Sequence, residues 1–188
     1  MNLLKNPGFE DGISLTACID AETAAGRNSG WLYKLTQDTY IRSEAGKEFF
    51  YGPTGALHVK EGKDALYMGS LTGGKIAVYQ EIMVQQSKPY YAAAWVKAYD
   101  ADGMGFGVSG CDYAGIKIIE YDETGLKISE YKSESIKTRT EDYTQLVLSF
   151  KTAPTTSKIL FILETNISFN HWHGCVRFDD CILTEAGE

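Results

Sequence analysis

The sequence has little of what several large classes of protein need. Its 188 residues contain only 4 Pro, 4 Cys and 3 His, and its 18 Lys and Arg are outnumbered by 25 Asp and Glu. The net charge of −7 argues against nucleic acids and anionic membrane surfaces, because both attract Lys and Arg. Hydrophobic runs such as residues 159–163 are far too short to span a bilayer. We therefore expect neither a nucleic-acid nor a membrane partner.

Signatures of catalysis and of zinc binding are also missing. There is no Gly-x-Ser-x-Gly elbow, no P-loop and no Cys-x-x-Cys pair. Cys175 and Cys181 would lie roughly 20 Å apart along one predicted strand, too far to bridge each other. The four cysteines are therefore compatible with free buried thiols, or with bridges from these two to Cys18 and Cys111. We predict no enzyme activity.

What the sequence does contain is a series of short segments in which apolar residues recur at every second position, as on one face of a strand. The segments are residues 76–84, 90–96, 116–120, 146–150 and 159–163, and Asp122-Glu123-Thr124-Gly125 is typical of a hairpin turn. Residues 20–29 indicate a short helix, and residues 32–63 indicate long loops with room for two strands. The pattern predicts an all-β sandwich or barrel, in one domain over residues 1–188.

Six segments, in this order, carry a family resemblance. They are NLLKNPGFEDG (2–12), GW (30–31), VYQEI (78–82), PYYAAAWVK (89–97), YTQLVLSFKTAP (143–154) and VRFDDCIL (176–183). Together they resemble the carbohydrate-binding modules of families 4, 9 and 22, in the galactose-binding-like group. The resemblance implies a jelly-roll β-sandwich of two antiparallel sheets.

The same resemblance implies a function. A member of this group would be a non-catalytic module that binds polysaccharide or oligosaccharide, excised from a larger secreted glycan-degrading enzyme. It would be tethered to other domains and extracellular; the absence of a signal peptide after Met1 is also compatible with an intracellular protein. The acidic composition favours an uncharged glycan. The alternative is a structural or receptor-binding domain of a phage tail or bacterial surface protein, since such proteins share the opening segment.

The resemblance places a sugar site either on a sheet or in the loops at one end. On the predicted strands, Trp95 and Tyr91 share one outward face, and Tyr79 and Glu81 share another. Side by side, these residues would form an aromatic platform with a carboxylate to accept hydroxyl hydrogen bonds. Trp31, in the GW segment, is as compatible with packing as with binding.

The second candidate site is a loop of unusual composition. Asn170, His171, Trp172 and His173 combine a stacking surface with polar groups that suit sugar hydroxyls. The same loop is compatible with simple packing of Trp172, or with a transition metal held by His171 and His173.

The resemblance also implies one structural Ca²⁺ near the paired terminal strands. The matching acids are Glu10, Asp179 and Asp180, with Asp64 in a nearby loop. Calcium takes six to eight oxygen ligands, so main-chain carbonyls would have to complete the site. The other reading is that these acids only cap strand ends.

Overall fold

The computed structural model describes residues 1–19, 21–45, 59–70, 72–98, 111–137, 140, 142–167 and 175–186, and for residues 44 and 45 the backbone alone. These residues form twelve strands and no helix, so the described part of the chain contains no helix that could cross a membrane. The strands are β1 (Thr16–Cys18), β2 (Thr23–Asn28), β3 (Trp31–Thr36), β4 (Thr39–Ala45), β5 (Asp64–Ser70), β6 (Gly74–Met83), β7 (Pro89–Lys97), β8 (Tyr113–Tyr121), β9 (Lys127–Lys132), β10 (Thr144–Lys151), β11 (Lys158–Ile167) and β12 (Cys175–Glu185).

The strands form two antiparallel sheets of six. Sheet A has the order β1-β4-β5-β12-β7-β10, and sheet B has the order β2-β3-β6-β11-β8-β9. Neighbours in a sheet are often far apart in sequence, as where β12 lies between β5 and β7. The predicted all-β sandwich of two antiparallel sheets is confirmed. The single domain over residues 1–188 stays a prediction.

The core lies between the sheets and follows the alternation in the sequence. On β6, Ile76 and Val78 point inward and are almost fully buried, and on β11 Phe161 and Leu163 do the same. Successive side chains of a strand point to opposite faces, so each buried row fixes an outward row beside it. The outward row of sheet B therefore consists of the residues between these positions.

The two termini of the chain meet, as the paired terminal motifs predict. The Leu3 amide donates to the Leu183 carbonyl over 2.8 Å, and the Leu183 amide donates to the Asn2 side chain over 3.0 Å. The buried Gln80 side chain binds both the amide and the carbonyl of Lys5. Trp31 is also buried, with its Nε1 donating to the Asn6 carbonyl, so it packs under the N-terminal segment.

Other sequence predictions have mixed outcomes. The hairpin turn at residues 122–125 joins β8 and β9 as predicted, and two strands, β3 and β4, lie within residues 31–45. The short helix at residues 20–29 is wrong: Thr23–Asn28 is strand β2, because all six of its residues pair with β3 and its inward side chains are partly buried. All four cysteines are free buried thiols.

Candidate functional site

A groove of about 550 Å³ crosses the outward face of sheet B. Its lining comes from β2, β3, β6, β8 and β11, which lie side by side in the sheet, although only β2 and β3 are consecutive in the sequence. The lining residues are Thr23, Lys34, Thr36, Lys75, Ile76, Ala77, Tyr113, Lys117, Glu164, Thr165 and Asn166. We refer to it below as the sheet groove.

Strand register explains why there is a groove here. Glu164 on β11 is paired with Ala77 on one side and Gly115 on the other, and Ala77 is paired in turn with Lys34. Ala77 and Gly115 are the small members of this row, which lies between Tyr79 on one side and Tyr113 on the other. Strands lie about 4.8 Å apart, so the row extends roughly 14 Å from β3 to β8. That length suits a short chain of linked rings.

Glu164 is the central polar group of the groove. Its Oε1 accepts a hydrogen bond of 2.8 Å from the Tyr113 hydroxyl, and its Oε2 is paired with the Lys117 ammonium. Burial is the largest cause that raises the pKa of Tyr113 well above its ordinary value, followed by the bond to Glu164. The hydroxyl therefore keeps its proton at neutral pH, and the three groups form a fixed polar centre.

The groove edges carry further polar groups. Asn166 lies beside Lys75 in register, and its amide donates to Asp112 over 3.1 Å. Lys34 and Lys75 are both exposed. Amides, hydroxyls and charged groups in a shallow groove are suited to hydrogen-bond the hydroxyls of a sugar.

The structure does not bring the predicted aromatic platform together. Trp95 and Tyr91 lie on β7 in sheet A, while Tyr79 and Glu81 lie on β6 in sheet B, so the two pairs face opposite sides of the sandwich. The prediction that these four residues share a platform is wrong, because strand alternation fixes the face of a residue but not its sheet. Ligand binding by each of these four residues stays a prediction.

Each of the two pairs has local contacts. The Lys60 ammonium lies 4.2 Å from the centre of the Trp95 ring, which is half-buried. Tyr79 is next to Ile162 and Leu32 in register, on the same face as the sheet groove, and Glu81 pairs with Lys158 over 3.7 Å. Tyr79 is therefore the member of the predicted set that borders the groove.

The second predicted sugar site lies outside the described residues. This applies to Asn170, His171, Trp172 and His173, whose roles in sugar or metal binding stay predictions.

Two of the acids predicted to bind Ca²⁺, Glu10 and Asp179, accept hydrogen bonds from the main chain of one loop. Glu10 accepts hydrogen bonds from the amides of Lys63 and Asp64, at 2.8 to 3.1 Å. Asp179, which is fully buried, accepts from the amides of Lys60 and Glu61 at 2.8 and 3.0 Å. We call this arrangement, Glu10 and Asp179 on the loop 60–64, the carboxylate clip.

The electrostatics of the clip are set by burial. Burial is the main cause that raises the pKa of Asp179 to about 6, while the amides of Glu61, Asp180 and Lys60 lower it. The Asp180 amide donates to Asp179 Oδ1 over 2.7 Å, and Asp64 pairs with Lys63 over 3.4 Å. These oxygens therefore face N–H donors, and among the described residues no group of three or more His, Cys, Asp or Glu is placed to hold a metal ion.

The sequence reasoning missed the centre of the sheet groove. The signal was available in part: with Ile159, Phe161 and Leu163 pointing inward, Glu164 must point outward. What the sequence does not contain is the register that places Ala77 and Gly115 on either side of Glu164. A carboxylate on an alternating strand is common, and only its small neighbours make it the centre of a groove.

Comparisons with known proteins give relatives by structure alone. The sequence matches no protein-family model and no curated protein. A family 61 carbohydrate-binding module, TmCBM61, solved with β-1,4-galactotriose, is similar to 98% of this chain over 99% of its own, with a TM-score of 0.57 and 15% identity. A Stig cyclase from Fischerella sp. TAU, solved with a 3H-indole compound, has a TM-score of 0.63 and 16% identity over 97% of this chain and 95% of its own.

A third similar structure is part of a much larger protein. The enzymatically active domain of tailspike protein 4 from bacteriophage CBA120 has a TM-score of 0.61 and 9% identity. The match covers 98% of the present chain but only 21% of the tailspike chain. At these identities the likeness shows the fold. The predicted resemblance to carbohydrate-binding modules is confirmed at that level.

Proposed function

We propose that this protein is a non-catalytic carbohydrate-binding module that holds an oligosaccharide in the sheet groove. The observation that carries the proposal is the fixed centre of Glu164, Tyr113 and Lys117 at the bottom of an open groove. Support from outside the chain comes from TmCBM61, which has the same fold and was solved with a galactose trisaccharide.

Binding would use the groove in a simple way. The small side chain of Ala77, between Lys34 and Glu164, leaves room for a sugar ring to lie across the strands, and groups on either side can pair with hydroxyls. Each such bond replaces one with water, so the net gain is only about 0.5–1.5 kcal/mol per bond. A few hydrogen bonds and one aromatic contact, with Tyr113 or Tyr79, give weak binding, with a dissociation constant in the micromolar range or higher.

The groove chemistry favours binding over hydrolysis. Glycoside hydrolysis ordinarily needs two carboxyl groups, one of them free to give a proton. Among the described lining residues Glu164 is the one carboxylate, and both of its oxygens are already bound. The likeness to a cyclase makes a test of catalysis worthwhile: incubation with glycans should leave their chain length unchanged.

The test of the proposal is calorimetry on a panel of galactan, xylan, glucan and mannan oligosaccharides, followed by acidic glycans. Wild type should bind at least one of them, and Glu164→Gln and Tyr113→Phe should each weaken that binding by about tenfold, or about 1.4 kcal/mol. Glu123→Gln, at an exposed position in the β8–β9 turn, is the matched control and should bind as wild type does. Binding that survives both groove variants would refute the site, and no binding to any glycan would refute the function.

The setting of the module is also a proposal. We infer that it acts outside the cell as part of a longer chain, where tethering raises the local concentration of a partner domain. A phage-tail or surface role is the second candidate, supported by the likeness to one fifth of a tailspike chain. Trimeric full-length protein that binds bacterial cells but no plant polysaccharide would favour that second role.

A structural Ca²⁺ ion stays a prediction. The carboxylate clip holds two acids on one loop, but its oxygens are directed at amides, so a bound ion would need the loop 60–64 to turn carbonyls toward it. The loop presents N–H groups at this place, whereas calcium needs oxygen ligands, so the arrangement as it stands does not fit the ion. We derive no role for the ion in binding the sugar.

A further inference from the structure

Two lysines of the sheet groove have no acidic partner in the described part of the chain. Lys34 on β3 is paired in register with Ala77, and Lys75 lies two residues before Ala77 on β6, so the lysines are diagonal neighbours. Diagonal neighbours lie about 7–8 Å apart, within reach of two long side chains that converge on one group. Both residues are exposed, and both line the groove.

The other charges of the groove are already matched. Glu164 is held by Lys117 and Tyr113, and on the neighbouring edge strand Glu130 is paired with Lys127 and Lys132. The lining residues therefore contain three lysines against one glutamate, an excess of two positive charges. This excess occurs in a chain whose net charge is −7, so the groove differs in sign from the protein as a whole.

Close like charges on neighbouring strands repel each other, and that repulsion is relieved by an anion between them. Nearby Asp112 does not supply the anion. Its carboxylate accepts a hydrogen bond from the Asn166 side chain, and in the described part of the chain it forms no ion pair with Lys34 or Lys75. The charge that would complete this part of the groove is thus absent from the described chain.

We infer that the sheet groove selects acidic oligosaccharides, with an anionic group of the sugar held between Lys34 and Lys75. The inference rests on the proposed function and deepens it. A uronic-acid carboxylate and a sulfate ester share the required chemistry, because both present oxygen atoms with negative charge to two ammonium groups. The neutral part of the sugar would lie over Ala77, toward Glu164.

We expect the two lysines to give a modest gain in affinity that depends on salt. The contact is exposed, so each lysine should contribute about 1.4-fold to fivefold in affinity, as surface ion pairs do. Salt should weaken it, because the Debye length shortens from about 30 Å at 0.01 M to about 8 Å at 0.15 M. Binding of a neutral glycan should respond little to salt.

The experiment compares each acidic glycan with its own neutral form. Oligogalacturonate, alginate oligosaccharides and glucuronoxylan are each titrated beside their carboxyl-reduced forms, which have the same linkages without the charge. A sulfated galactan oligosaccharide is titrated beside its desulfated form, which separates sulfate from carboxylate. The proteins are wild type, Lys34→Gln, Lys75→Gln, the double variant, and Lys151→Gln, an exposed lysine of sheet A, as control.

The expected result is that at least one acidic form binds about fivefold or more tightly than its neutral form. This difference should shrink in both single variants, vanish in the double variant, and persist in Lys151→Gln. Equal binding of acidic and neutral forms, or a preference unchanged in the double variant, would overturn the inference and leave the proposed function standing. Failure of every glycan, neutral or acidic, would overturn both.

Discussion

The carboxylate clip gives the most specific prediction about stability. Replacing Asp179 by alanine removes the acceptor for the amides of Lys60, Glu61 and Asp180 at once. An orphaned donor costs about 1–3 kcal/mol, so three would cost about 3–9 kcal/mol. Two of them belong to exposed residues that water can reach, and alanine also removes a costly buried charge, so we take the lower limit.

About 3 kcal/mol corresponds to a fall in melting temperature of roughly 6–12 °C for a chain of this size. Glu10→Ala removes the partner of only two amides, at a position exposed to water, and should cost about 1 kcal/mol, or roughly 2–4 °C. Glu123→Ala, in an exposed turn, should leave the melting temperature unchanged.

The assay is differential scanning calorimetry of the three variants, with urea unfolding as a second measure. If Asp179→Ala does not fold, Asp179→Asn serves instead: it retains one acceptor oxygen but presents an N–H to one of the amides, and its loss should be intermediate. The reasoning is refuted if Asp179→Ala costs no more than Glu10→Ala, since that would show that the loop 60–64 does not depend on the buried carboxylate.

Three further predictions concern the groove, the core and calcium. In Gly115→Ala the new Cβ would lie 2.9 Å from the Tyr113 hydroxyl oxygen, so we expect calorimetry to show about tenfold weaker glycan binding with little change in melting temperature; unchanged affinity would contradict the role of Tyr113. Trp31→Ala should cost about 3–5 kcal/mol of unfolding free energy, because the ring is buried and stacks on Phe9, while the remaining folded protein binds glycan normally; lost binding in folded protein would contradict packing. If the predicted Ca²⁺ site exists, calcium should raise the melting temperature of wild type but not of Glu10→Gln, whereas an equal rise in both proteins would place the ion elsewhere.

Strand alternation made much of the fold predictable. On β6, β7, β10 and β11 the apolar residues recur at every second position, and these are the residues that the structure buries. The terminal motifs were also informative, because the opening and closing segments pair with each other directly. The helix predicted for residues 20–29 failed because Asp20 and Gly26 suit a cap and a stop, yet pairing with β3 decides the structure.

The site was less predictable because it depends on which strands are neighbours. Trp95 and Tyr79 each point outward as expected, but no local pattern shows that β7 and β6 belong to different sheets. Conversely, Glu164, Ala77, Gly115 and Lys34 come from four strands spread along the chain and become one row only through register.

The charge of the groove also could not be predicted from the composition of the chain. A net charge of −7 favours a neutral ligand if the charge is spread evenly over the surface. It is not spread evenly, because acids such as Glu10 and Asp179 are used to hold a loop, while Lys34 and Lys75 face the groove without acidic partners among the described residues. A ligand in the groove responds mainly to charges within a Debye length of about 8 Å at physiological salt. For a sugar bound in the groove as proposed, the local excess of lysine therefore outweighs the composition of the chain.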